Sequence, residues 1–380
     1  MVKYWIKNSI FLILDWISEK CNGFYYYLDI IAYTYDLKRR AKKANRRGAK
    51  YGSMPLTKEE RKRIKSIWGN WGGDLEAFGF YKLFCGSFNP NLVPDDYYDF
   101  AEHIFNLRWS AYFLQHKCNL KYFLPKQNRA EVILQKIDGH IVLEDNTEIS
   151  KQEAISILKH QSVFVAKIAR GTGGGKGVRR IEMNDIQNKD LFLDDLLSPI
   201  DMEFEKIIQQ NDFLAQFNPD SVNTIRIVTL NINRTCTVLS AFLRMGSRGS
   251  FVDNFSSGFG VLVGINNEGN LNEFGVDKNL NKLYEAPTGL EFKGISIPNY
   301  NLIKDQIIDF SKKIPSANLI GWDITLDKQF NPIVIEVNLD SAHLALHQIF
   351  NGPIFGDRQS EVMAYIKERM PLLHHQMMTY

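Results

Sequence analysis

Residues 318–340 read NLIGWDITLDKQFNPIVIEVNLD. Ile320 to Leu326 alternates in polarity and Ile333 to Val337 is rich in β-branched residues, the pattern of two strands. Asp327, Asn331 and Pro332 supply turn chemistry between them. Side chains alternate faces along a strand, so Glu336 and Asn338 share one face, and Ile335 and Val337 are expected in a core. With the turn centred near Gln329, Asp323 falls opposite position 335 or 336. One face of this hairpin then carries Asp323, Glu336 and Asn338 beside Thr325. Two carboxylates and an amide among Ile and Val are costly to desolvate without a partner. A hard divalent cation removes that cost, because magnesium takes oxygen ligands and completes its shell with water and phosphate. The competing reading is a solvent-facing strand edge with ordinary polar residues.

Working outward, a glycine-rich loop, RGTGGGKG from Arg170 to Gly177, follows a strand at Val163 to Ala169. Gly171, Gly173, Gly174 and Gly175 let backbone N–H groups approach phosphate oxygens. The loop is not a P-loop, since Arg170 stands at its first glycine and Gly177 at its hydroxyl position. Lys176 breaks the dinucleotide-binding GxGxxG, and the kinase loop fails likewise, with no HRD or DFG elsewhere. A phosphate cradle and a flexible surface loop both fit. Lys167 lies mid-strand in VFVAKIA, where an ammonium needs an anion: a nucleotide phosphate or a structural carboxylate. Arg226 in TIRIVTL and Arg244 in AFLRMG are also mid-strand. They read either as structural ion bridges or as groups for a carboxylate and a transferring phosphoryl group.

The remaining elements follow from caps and periodicity. Thr57 to Trp68 is a short helix with a Thr57/Glu60 capping box, and Ser150 to Lys159 another with Ser150/Glu153. Pro94 to Lys117 reads as one long helix capped by Asp95. Strands are expected around Asp138-Gly139, at Glu203 to Ile208, Thr224 to Ile232, Thr237 to Met245 and Gly260 to Ile265. Leu191 to Pro199 reads as irregular. Helices are expected at Asn301 to Lys313 and Gln359 to Arg369. Strands and helices mix without a strict βαβ rhythm, so the class is α+β.

The 380 residues suffice for two or three packed units. Four scattered cysteines without a CxxC argue against a disulfide framework and a zinc site, and suit a reducing cytoplasm. No spanning helix or signal peptide is expected. The first thirty-five residues are aromatic, and Lys38 to Lys50 is basic with no acid. A solvated helical extension, a segment on an anionic membrane surface, and nucleic-acid contact compete there, the last least favoured.

Together, KIARGTGGGKGV, FNPDSVNTIRIVTL, FLRMGSRGSFVDNFSSGFG, GWDITLDKQFNPIVIEVN and the earlier FNPNLVPDDYY resemble the ATP-grasp superfamily. The resemblance covers about residues 60–350 and is closest to the sugar-transfer-associated branch, related to α-L-glutamate ligases. It implies two α+β lobes holding ATP and Mg2+, and ligation of a carboxylate to an amine through an acyl phosphate. By position, Lys167, Gly173, Gly174, Gly175 and Lys176 would meet phosphates, and Arg226 and Arg244 would stabilise the acyl-phosphate chemistry. Asp323, Glu336 and Asn338 would hold magnesium, and Glu205 in EFEKIIQQ would contact adenosine. The chain departs from the branch in Ala286-Pro287, where His-Pro is usual, and in Gln210-Asn211, where Gln-His is usual.

The implied organisation is a helical N-terminal extension at 1–66 and an N-terminal lobe at 67–160. A small lobe with the glycine loop at 161–215 and a large lobe with the metal site at 216–380 follow. The expected function is a cytoplasmic ATP- and Mg2+-dependent ligase in surface-polysaccharide synthesis, peripheral to the membrane if the basic N-terminus binds it. Its partners would be a small-molecule or glycan carboxylate and an amine. A sugar kinase with Asp253 as base, and a non-catalytic nucleotide-binding scaffold, are the alternatives.

Overall fold

The computed structural model describes residues 52–69, 71, 75–106, 108–170, 177–197, 200–249, 251, 260–339 and 344–370. The expectations for the aromatic and basic N-terminus, for the glycine loop at 171–176 and for Asp253 lie outside these residues.

The chain forms two compact units, one of residues 1–105 with 355–380 and one of 106–354. In the first, α1 (Lys58–Trp68) begins at the Thr57/Glu60 capping box. Helix α2 (Glu76–Cys85) follows it. Helix α3 (Asp95–Phe105) starts at Asp95 itself rather than after it. Trp68 anchors this unit: its indole N–H donates to the Pro90 carbonyl at 2.9 Å and its ring meets Tyr97.

The long helix expected over 94–117 is two helices, because α4 (Arg108–Leu114) is a separate element. Asn106 stands in the break and supplies the physical reason. Its buried amide donates to the carbonyls of Leu319 and Leu339 at 2.7 and 2.6 Å. Its oxygen accepts from the N–H groups of Asn318 and Leu319. One side chain thus satisfies four backbone groups at the end of the decisive hairpin, which helical geometry at 106 would forfeit. We expect Asn106→Ala to cost about 2–4 kcal/mol of stability, since buried donors and acceptors lose their partner. Urea denaturation checks it; a loss under 0.5 kcal/mol would reject the account.

The second unit holds two antiparallel sheets. The smaller is built from β1 (Val132–Ile137), β2 (His140–Val142), β3 (Val163–Ile168), β4 (Val178–Glu182) and β5 (Met202–Glu205), in the order β2-β1-β5-β3-β4. Asp138 and Gly139 both take positive φ in the tight turn between β1 and β2. Phe164, Ala166, Leu134 and Phe204 pack against α5 (Lys151–Lys159) and α6 (Lys189–Leu196). The last helix replaces the irregular segment expected from Leu191. The Asn188 side chain caps its N-terminus, and Leu193 and Leu196 are buried.

The larger sheet runs β10-β9-β8-β7-β6-β11-β12. Its strands are β6 (Thr224–Ile232), β7 (Thr235–Met245), β8 (Val261–Ile265), β9 (Leu271–Val276), β10 (Lys282–Leu283), β11 (Leu319–Leu326) and β12 (Pro332–Asn338). One face, with Ile225, Ile227, Trp322, Ile324, Val334 and Val337, packs on the Tyr300–Lys312 helix through Ile303, Ile307 and Phe310. Strands β9 and β10 were not expected from sequence.

The hairpin register pairs Asp323 with Glu336, then Ile324 with Val334. Ile335 is therefore an extra residue in a β-bulge. It lies half-buried outside the core, contrary to the simple alternation expected, and Val334 takes the core position instead.

Candidate active site

The opposite face of the large sheet, packed at β7 and β8 by the Leu344–Asn351 helix through Phe242 and Gly264, carries charge in one rung. Arg226 on β6 is opposite Asp323 on β11, and Asp323 is opposite Glu336 on β12. Asp323 is fully buried and receives the Arg226 guanidinium on both carboxylate oxygens, with Nη2 to Oδ2 at 2.9 Å. Arg244 Nη2 donates to the same Oδ2 at 3.2 Å. Burial alone would raise the Asp323 carboxyl, but Arg226 and Arg244 outweigh it and hold it well below the usual carboxylate range. Glu336 goes the other way: burial and the Asp323 charge push its carboxyl up. The nearest balancing cation is Lys117, whose Nζ lies 3.5 Å from Oε2.

The facing side of the small sheet is equally charged. Lys167 on β3 is opposite Glu203 on β5, with Val165 opposite Glu205. Lys167 is 5% exposed and its Nζ lies 2.5 Å from Glu205 Oε2. Burial works against the ammonium, yet Glu205, Glu203 and more weakly Glu336 overcome it and raise its proton affinity. The last of these belongs to the large sheet, so the charged faces of the two sheets share one electrostatic environment. Lys117 ties them as well: its backbone N–H donates to the Ala169 carbonyl while its ammonium approaches Glu336.

The base of the glycine loop is pinched. Gly177 has φ +77°, and a Cβ there would lie 2.7 Å from the Ile168 side chain. The Ile168 N–H donates to the Gly177 carbonyl at 3.0 Å. Only glycine fits this closure. After β5, Lys206, Ile207, Ile208 and Gln209 line a cavity of about 520 Å³ with Val163, Asp327 and Ile333.

Glu336, Asn338 and Asp323 suit a hard cation. Glu336 carries a carboxyl that its surroundings leave short of positive charge, and its side chain is 29% exposed. The buried Asn338 amide nitrogen makes no hydrogen bond, nor does the buried Thr325 hydroxyl. Asp323 contributes charge already shared with two guanidinium groups. Among the described residues no group of three His, Cys, Asp or Glu side chains is gathered, and the candidate donors are two carboxylates and an amide. That is a magnesium-like rather than a zinc-like set.

Sequence reasoning missed Lys117 and Glu203. Glu203 was visible as the i−2 neighbour of Glu205 in EFE, on the same strand face. Lys117 had no local signal, because it reaches the site from a 3-10 turn at Lys117–Tyr122.

Two antiparallel sheets facing each other across this strip of charge, with helices on their outer faces, form an ATP-grasp fold. The chain belongs to the sugar-transfer associated ATP-grasp family, whose sequence model matches residues 131–363. Among solved structures it is similar to the ATP-grasp ligase PsnB complexed with a minimal precursor. That match has 13% identity over 69% of this chain and 64% of that one, with a TM-score of 0.39. It is also similar to D-alanyl-alanine synthetase A from Vibrio cholerae, at 12% identity over 69% of this chain and 66% of that one, TM-score 0.38. The chain thus spans just under two thirds of the length of these structures. PsnB has also been solved with Mg and ADP. No curated protein matches the sequence. Among the described residues, no helix is long and apolar enough to cross a membrane.

Proposed function

We propose that this chain is an ATP- and magnesium-dependent ligase that joins a carboxylate to an amine. The observation that carries the reading is the Lys117 link: its N–H donates to Ala169, at the end of the strand before the glycine loop, and its ammonium lies 3.5 Å from Glu336 on the acidic hairpin. A triphosphate with its metal needs lysine on one side and carboxylates on the other, and this cleft has both.

In this reading Lys167 leaves Glu205 partly for a phosphate oxygen, and Lys176 with Gly173, Gly174 and Gly175 would contact the phosphates. The cavity beside Lys206–Gln209 takes the base, with Glu205 at its edge. Glu336, Asn338 and Asp323 would hold magnesium, which would offset charge developing on the phosphates. Arg226 and Arg244 orient the acceptor carboxylate and stabilise charge as the phosphoryl group moves to it. The amine then attacks the acyl phosphate and phosphate leaves, with no side-chain nucleophile required. The family description supports a sugar acid or glycan as one partner, in surface-polysaccharide synthesis. In this reading the sheet of β1 to β5 serves as the small lobe and the sheet of β6 to β12 as the large lobe.

The deciding experiment incubates the protein, Mg2+ and ATP with paired uronic acids and amines, read by mass spectrometry. Loss of water between the pair with ADP formation supports the ligase. A stable phosphoester formed without an amine would instead establish a kinase, and nucleotide binding without turnover in any mixture a scaffold. Lys167→Met should weaken nucleotide binding about 10–100-fold, as expected for losing a charge-assisted contact. Unchanged calorimetric affinity would remove Lys167 from the site.

A further inference from the structure

Glu203 has no part in the chemistry above, yet it faces the same cleft and is 2% exposed. It lies opposite Lys167 in the β3–β5 ladder and two residues before Glu205, on the same face. Glu205 pairs with the Lys167 ammonium, and Glu203 is a second buried carboxylate on the same strand face. Gln135 on β1 donates to Glu203 Oε2 at 2.6 Å and to the Cys118 carbonyl at 3.1 Å. Cys118 and Lys121 approach from the 3-10 turn; burial keeps the thiol protonated and weakens the Lys121 ammonium, whose Nζ makes no hydrogen bond. Glu205 and Lys167 complete the groups that face Glu203, with Glu336 acting on Lys167 from the opposite sheet.

Lys167 cannot serve two carboxylates and a phosphate equally. With Glu203 protonated, Glu205 is the single charged carboxylate left to the ammonium. With Glu203 ionised, a second negative charge enters a nearly water-free site and competes directly with an incoming phosphate. We propose that Glu203 is a positioning residue that admits nucleotide phosphate to Lys167 only while it carries a proton. The inference rests on the nucleotide reading given above. Burial, then repulsion from Glu205, pushes the Glu203 carboxyl up to about 8, so the switch falls within an accessible pH range. The sign follows: the proton-bound form binds phosphate better, so affinity is highest below that value and falls as pH rises through it. By the same linkage, phosphate binding draws a proton onto Glu203.

Calorimetry of Mg–ATP binding to the full chain, from pH 7 to 9 in buffers of different ionisation enthalpy, tests this. In the wild type, affinity should fall about fivefold or more across that range, with uptake of a fraction of a proton near pH 8. Glu203→Gln, nearly isosteric and permanently neutral, should give a flat profile and no uptake. Equal slopes in both proteins would overturn the inference, as would a wild type that takes up no proton, a measurement that needs no variant. Nucleotide bound with a flat wild-type profile defeats this inference alone. No binding at any pH defeats the nucleotide reading and the inference with it.

Discussion

Asp323→Ala is expected to lower the melting temperature of the protein by roughly 10 °C, a loss of about 3–5 kcal/mol. The size follows from what the substitution leaves behind. Arg226 is 2% exposed and makes its paired hydrogen bonds to Asp323. Without that carboxylate a buried guanidinium loses its bidentate partner. Arg244 is 18% exposed at its side chain and can turn toward water, so it adds less. Turnover is also lost, but here loss of activity and loss of fold are entangled. The double substitution Asp323→Leu with Arg226→Met separates them: it should regain most of the stability and none of the turnover, because a buried ion pair replaced whole by apolar groups is often neutral. Calorimetric melting that leaves Asp323→Ala within 2 °C of wild type would show that the pair does not hold the sheet.

Glu336→Gln should behave oppositely. Its carboxyl is repelled by Asp323 and poorly compensated by Lys117 at 3.5 Å. Removing the charge relieves that repulsion, so the melting temperature should hold or rise by a few degrees. Under the proposed function the same change removes a magnesium ligand, and turnover should drop at least 100-fold, as when a group that acts on the transition state is deleted. A discontinuous ADP assay with a melting curve on the same sample reads both. Turnover within threefold of wild type would detach Glu336 from the chemistry. Together the two variants distinguish the residue that holds the sheet from the residue that the sheet holds out for use.

Much of this frame is written locally. The Thr57 and Ser150 capping boxes, the Asp138-Gly139 turn and the β11–β12 hairpin each depend on residues within a few positions of one another, and each forms, the hairpin with Ile335 in a bulge rather than in the core. The Lys167, Arg226 and Asp323 positions stood out because a charge amid β-branched neighbours has few explanations. What escaped depends on distant partners. The break at Asn106 exists for backbone groups more than 200 positions away. The Leu191 helix needed the pocket that buries Leu193 and Leu196. Lys117 looks like an ordinary surface residue until the fold brings it to Glu336.

The unpaired Ile335 divides β12 into two segments of different phase. Val334 and Val337 both meet the core although three positions separate them, a spacing regular alternation forbids. Register and burial thus change together at one position: the strand pairs out of step on either side of Ile335, which is left half-buried outside the core.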